Sequence, residues 1–85
     1  MNTQKLTKKE KIEKVINALS DCISQYGYFI IQTKDICIVY GKKFQLDYVL
    51  KEPYIYVIDE KNSNNVYGII KLRNIQKISP IGIFF

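Results

Sequence analysis

The residues best suited to chemistry in this chain are basic and amide side chains. Lys34 comes first, followed by the pair Lys42 and Lys43, then Gln45, Tyr48 and Lys51, and later Lys61, Asn62, Asn64, Asn65, Lys71, Arg73 and Lys77. No acidic residue follows Glu60, so the last part of the chain carries positive charge only. Lys and Arg pair with phosphate oxygens, and a Gln amide can bridge the edge of adenine. Such a set equips a chain to hold a polyanion rather than to break a bond. The catalytic alternatives lack their residues. With no histidine anywhere, Ser-His-Asp and Cys-His catalysis are excluded, and Cys22 and Cys37 have no partners for a zinc site. Gly27, Gly41, Gly68 and Gly82 stand singly, so there is no glycine loop to cradle a phosphate. Asp59 and Glu60 are neighbours at an expected strand end, point to opposite faces and cannot act on one bond together. The expectation is a binding protein and not an enzyme, with no cofactor and no metal.

A net charge of +5 on 85 residues, with a pI near 9.2, favours polyanions through counterion release. Nucleic acid, DNA ahead of RNA, is therefore the first partner to expect. The length allows one small domain, residues 1–85, and the 47% apolar, 25% charged composition is that of a folding globule. The apolar run Ile36 to Tyr40 is far shorter than the roughly 20 residues that cross a bilayer, and the polar N-terminus carries no signal-peptide core. No membrane contact and a cytoplasmic location follow. Cys22 and Cys37 are then expected as reduced, buried thiols.

Positioning these side chains falls to a few elements. Thr7-Lys8-Lys9-Glu10 is a capping box, and the stripe Ile12, Val15, Ile16, Leu19, Cys22, Ile23 and Tyr26 keeps helical spacing up to Gly27. This predicts a helix over residues 8–26 after a flexible N-terminus, 1–6, with Lys8, Lys9, Lys11 and Lys14 on its outer face. Residues 28–31, YFII, predict a short strand. Residues 54–71 predict a hairpin with strands 54–59 and 65–71 and a loop of turn residues, and its alternation sets Ile55 and Val57 against Tyr54, Tyr56 and Ile58. The C-terminal tail, 72–85, ends in Ile81, Ile83, Phe84 and Phe85, which must cover the core or meet a partner.

The middle, residues 33–52, supports two readings. As strands, Phe44, Leu46, Tyr48 and Leu50 alternate with Gln45, Asp47 and Lys51, Gly41 makes a tight turn, and the product is a helix on a five-stranded antiparallel meander or small barrel. As helices, Thr33 caps the first, Gly41 ends it, and a second runs over 43–52 with Leu46, Val49 and Leu50 inward. On the helical reading, Asp35-Ile36-Cys37-Ile38-Val39-Tyr40-Gly41 resembles the first motif helix and turn of winged helix-turn-helix DNA-binding domains, with Cys37 where the helices cross and Gly41 at the turn. The element order over residues 7–71 is similar to theirs, although Asp47 stands where the second helix expects an apolar residue. This resemblance implies an α+β fold of winged-helix order α-β-α-α-β-β. It also implies DNA contact by Lys34, Lys42 and Lys43 at the turn, by Gln45, Tyr48 and Lys51 on the second helix, and by Lys61, Asn62, Asn64, Lys71 and Arg73 at and after the hairpin tip. ICIVYGKKFQL followed by a long hairpin also resembles Sm-like RNA-binding barrels, departing from them at Asp47 where their second glycine falls.

A different class of function starts from the seven tyrosines. Tyr54 and Tyr56, with Phe84 and Phe85, would give a protein-binding inhibitor or adaptor a surface that buries area while keeping polar tips wet, or would seal a homodimer. The high use of Ile, Lys, Asn and Tyr suggests an AT-rich bacterial, plasmid or phage source, which suits an accessory regulator.

Overall fold

The computed structural model describes residues 7–85, and the flexible N-terminus expected over 1–6 lies outside them. Helix α1 spans Lys8–Tyr26. Its capping box is complete: the Thr7 hydroxyl accepts from the Glu10 N–H at 3.1 Å, and the Thr7 N–H donates to Glu10 Oε1 at 2.9 Å. These two bonds satisfy amides that the first helical turn would otherwise leave unpaired. Gly27, at φ 84°, ends the helix by donating its N–H to the carbonyls of Cys22 and Ile23. Val15, Ala18, Leu19 and Cys22 form the buried stripe.

Strands follow the helix. In order come β1 (Phe29–Thr33), β2 (Ile38–Gly41), β3 (Phe44–Val49), β4 (Glu52–Ile58), β5 (Val66–Lys71), a 3-10 turn (Leu72–Asn74), β6 (Ile75–Ser79) and β7 (Ile83–Phe84). They form two antiparallel sheets, one of order β2-β1-β6-β7 and one of order β3-β4-β5.

This corrects the winged-helix order, because residues 33–52 contain no helix. The run Ile36 to Tyr40 is β-branched and aromatic, and wound as a helix it would be apolar on every side with only one side to bury. As a strand it alternates: Val39 and Gly41 turn toward the core while Ile38 and Tyr40 face out. Thr33 does not cap a helix. Its hydroxyl accepts from the Cys37 N–H at 3.0 Å and donates to the Asp35 carboxylate. The Thr33 N–H donates to the Cys37 carbonyl at 2.9 Å, which closes the β1–β2 loop around Ile36 at φ 66°. Between β3 and β4, Leu50 (φ 52°) and Lys51 (φ 67°) form a two-residue loop whose positive φ at both positions is that of a type I′ turn.

The five-stranded meander is not realised either. β2 and β3 follow one another but do not pair, since the chain leaves the first sheet at Gly41 and enters the second at Phe44. Gly41 makes no left-handed turn there. A Cβ on it would lie 2.8 Å from Phe29 Cζ and closer still to Val57 Cγ1, so glycine is required by the close approach of the two sheets. β6 then returns to pair with β1, which places the C-terminal tail in the core: Ile75 and Ile78 are fully buried beside Phe29, Ile31, Ile55, Val57 and the helix stripe. Ile58, expected on the face of Tyr54 and Tyr56, is buried because the β4–β5 register shifts between Val57 and Ile58.

Candidate functional site

Directly opposed residues of an antiparallel pair share a sheet face, so the registers of the four-stranded sheet can be read as rows. One row across its outer face is Ile38, Gln32, Lys77 and Phe84, and the next is Tyr40, Ile30 and Ser79. The row between them, Val39, Ile31, Ile78 and Ile83, points into the core. α1 does not cover the outer face, where Ile38 is 68% exposed, Phe84 63% and Tyr40 55%. Tyr28 extends the face, stacked on Tyr40 with ring centroids 5.3 Å apart and planes 27° off parallel. At the opposite side the Lys77 ammonium lies 4.9 Å from the Phe84 ring centroid. Neither row contains a carboxylate, so aromatic rings, a lysine and a glutamine amide share one face with no negative charge among them.

One end of the sheet adjoins a basic pole. Lys34 sits in the β1–β2 loop, its N–H donating to the Asn74 carbonyl at 2.8 Å. Lys11 lies within reach of its charge, and burial first, then Lys34, holds the Lys11 ammonium below its ordinary pKa. Lys8, Lys11 and Arg73 line a recess of about 250 Å³ whose one acid, Glu52, faces Arg73 at 3.8 Å. Lys8 Nζ also reaches the Lys51 carbonyl at 3.5 Å, which brings Lys51 to this end.

Of the residues expected to contact DNA, the pole therefore gathers Lys34, Lys51 and Arg73. It does not gather the others. Lys42 and Lys43 link β2 to β3 rather than turning between helices; Lys42 meets Glu60 at 3.7 Å and Lys43 donates to Ser63 Oγ at 2.9 Å. Lys61, Asn62 and Asn64 do lie in the β4–β5 loop, where the backbone N–H of Lys61 donates to Asp59 and the Asn62 side chain accepts from the Asn64 N–H. The first of these bonds, then the Tyr67 hydroxyl, holds the Asp59 carboxyl below its ordinary pKa, and the same contact raises that of Tyr67. Gln45, Tyr48 and Lys51 cannot form one reading surface, because positions 45 and 48 of a strand point to opposite sides. Gln45 stands in an outer row of the three-stranded sheet with Tyr56 and Ile69, and Lys71 in the adjacent row with Asp47 and Tyr54.

The residues expected to meet a protein also divide. Tyr54 and Tyr56 are half-buried in those two rows. Phe85 packs against the core with Lys14 Nζ 5.0 Å from its ring centroid, whereas Phe84 is on the open face. The two cysteines differ as well: both are free thiols, Cys22 buried and Cys37 exposed, so the expectation that both are buried is corrected. No group of acids and cysteines able to hold a metal occurs among the described residues. No helix among them is long and apolar enough to cross a membrane.

The residues missed by sequence reasoning are Tyr28, Gln32, Ile38, Tyr40 and Lys77 as a set. Gln32, Ile38 and Tyr40 come from the consecutive pair β1 and β2, Tyr28 directly precedes β1, and only the register that returns β6 to β1 adds Lys77 to them.

A scan against protein-family models finds no match to this chain, and searches of curated proteins and of solved structures find none either.

Proposed function

We propose that this chain binds single-stranded nucleic acid across the outer face of its four-stranded sheet. The observation that carries this reading is the pair of outward rows in which Tyr40, Phe84, Lys77 and Gln32 lie exposed or half-exposed without a carboxylate among them. Exposed rings on an open sheet face offer surfaces on which unpaired bases can stack. Each base stacked on an aromatic side chain contributes about 1–3 kcal/mol. Tyr40, braced by Tyr28, and Phe84 act as stacking platforms; Lys77 and the adjoining Lys34 and Lys11 take the phosphates; Gln32 lies between the rings to hydrogen-bond a base edge. The reading keeps the polyanion preference of a +5 chain and relocates it from a recognition helix to a sheet. A cytoplasmic setting, where free thiols persist, and an accessory or regulatory role belong to the same proposal.

Fluorescence anisotropy with labelled oligo-dT and oligo-U of twelve nucleotides, against a duplex of equal length, tests it between 50 and 300 mM salt. Single strands should bind more tightly than the duplex, with a log–log salt slope of about −2 if three phosphates are neutralised. Tyr40→Ala should weaken binding by roughly tenfold, the equivalent of about 1.4 kcal/mol. Equal affinity for duplex and single strand, or no effect of Tyr40→Ala, would remove the sheet face from consideration.

A further inference from the structure

Leu50 is 95% exposed, beside Tyr48 at 53% and Val49 at 44%. All three stand at the end of the β3–β4 hairpin. Earlier on β3, Phe44 and Leu46 pack against the core, and beyond Leu46 no side chain of that strand is covered. Leu50 also holds φ 52°, a conformation that glycine or asparagine adopts at less cost. A leucine that strains its turn and covers no core has no use inside the fold, so its use lies outside it.

Beside this tip lies the basic recess of about 250 Å³ lined by Lys8, Lys11 and Arg73. Glu52 and Pro53, which directly follow the turn, line it too, and Lys8 Nζ reaches the Lys51 carbonyl at 3.5 Å. The carboxylates at this end are already engaged: Glu52 faces Arg73 at 3.8 Å, Glu10 accepts the Thr7 N–H, and Asp47 accepts the Tyr48 N–H. Against these three stand Lys8, Lys9, Lys11, Lys51 and Arg73, which leave the end with a net positive charge. An apolar tip set among cations complements an anionic bilayer surface. Acyl chains accept Leu50 and Val49, the headgroup zone suits the Tyr48 ring, and lipid phosphates meet the cations. A fluid interface also receives a convex turn without a fitted pocket.

We propose that the β3–β4 turn inserts Leu50 at the headgroup–acyl boundary of an anionic phospholipid surface, while the Lys8, Lys11 and Arg73 recess takes a headgroup phosphate. Lying on a surface needs no membrane-spanning segment. One apolar turn, or a few cations, gives only weak and reversible attachment, so binding needs both and falls as salt rises or anionic lipid is withdrawn. The proposal does not rest on the nucleic-acid reading: Lys11 serves both, but Leu50 serves this one alone.

Co-sedimentation with vesicles tests it, comparing phosphatidylcholine alone with phosphatidylcholine carrying about 30% phosphatidylserine. The chain should sediment with the anionic vesicles, stay in solution with the neutral ones, and be released by salt. Leu50→Asn keeps every charge and relaxes the turn, so it should lower vesicle binding about tenfold or more while melting no lower than the parent and holding oligo-dT as before. Lys8→Gln should weaken vesicle binding by about threefold to fivefold. Leu50→Trp adds a tryptophan to a chain that has none. Its emission should be that of an indole in water for the free protein, then move to shorter wavelength on anionic vesicles and be quenched by brominated acyl chains. The proposal is overturned by equal binding to both kinds of vesicle or to neither, by Leu50→Asn binding as the parent does, or by an indole that stays in water on the vesicles. An indole already shifted in the free protein overturns it too, because the tip is then covered by the chain itself or by a second copy.

Discussion

Val57 places a side-chain methyl where a side chain on Gly41 would begin, and the Phe29 ring closes the same space from the other sheet, 2.8 Å from that position. The contact fixes how β2 hands the chain from one sheet to the next. Gly41→Ala must push a β4 valine and a fully buried phenylalanine apart, which as an overpacking change should cost about 1–3 kcal/mol. Gly27→Ala is the control. Its position is open, with nothing within 4 Å of an added Cβ, but φ is 84°, so its cost of about 1 kcal/mol comes from backbone conformation alone. Urea denaturation of the two variants should rank Gly41→Ala as the more damaging; a Gly41→Ala value under half a kcal/mol would show that the sheets do not approach so closely.

The β3–β4 turn offers a gain. Leu50 and Lys51 hold positive φ without being glycine or asparagine, a conformation that costs roughly 1 kcal/mol or more per residue of this kind. Leu50 is also 95% exposed, so its side chain is not required by the core. The double change Leu50→Asn, Lys51→Gly should raise stability by about 1 kcal/mol, read as a higher melting temperature at unchanged circular dichroism. A fall would mean that the leucine contributes to packing after all.

Asp59 makes the β4–β5 loop sensitive to acid. Its carboxyl is held below the ordinary value by the Lys61 N–H and then by the Tyr67 hydroxyl. A carboxyl whose folded pKa is depressed contributes stability that is present above its unfolded pKa, near 4, and lost as pH falls through the folded one. Protection of the amides of residues 59–67, taken relative to their intrinsic exchange rate at each pH, should therefore be lower below pH 4 than at pH 6, and Asp59→Asn should show the lower protection at both pH values. The Tyr67 hydroxyl titrates above the ordinary tyrosine range because of the same bond, so Asp59→Asn should bring its absorbance titration down. An unmoved Tyr67 titration would show that the bond is not kept in solution.

Lys11 and Lys34 report on the basic pole. Burial is the larger cause of the depressed Lys11 pKa and the Lys34 charge the smaller, so Lys34→Gln should raise the Lys11 value only in part, followed by side-chain nitrogen resonances. The same variant should also weaken oligo-dT binding, by about twofold to fivefold for one phosphate contact. The pair Lys42→Ala, Lys43→Ala should weaken it less, since those lysines are engaged with Glu60 and Ser63 at the far loop. If the pair matters more than Lys34, nucleic acid approaches through the β4–β5 loop.

Local order is what the sequence by itself determined. Thr7 and Glu10 are three residues apart because a helical turn needs both, and the stripe to Tyr26 counts off turns that Gly27 stops, so α1 is legible from end to end. The turn residues 61–65 likewise mark the β4–β5 loop, and the alternation of Ile55 and Val57 with the tyrosines marks a strand with one buried face. Between residues 33 and 52 the same local signals misled. Thr33 and Gly41 are as common at helix ends as in loops and at close contacts, and the β-branched run through Ile38 and Val39 carried the information that their spacing hid. Tertiary structure decided the remainder. Gly41 is explained by Val57 and Phe29, Ile58 is buried by a register shift, and the proposed site exists only because β6 returns to β1 and brings Lys77 beside Gln32. Strand partners are chosen by non-local hydrogen bonds and by the burial that both sheets achieve together, a global condition that no window of sequence contains.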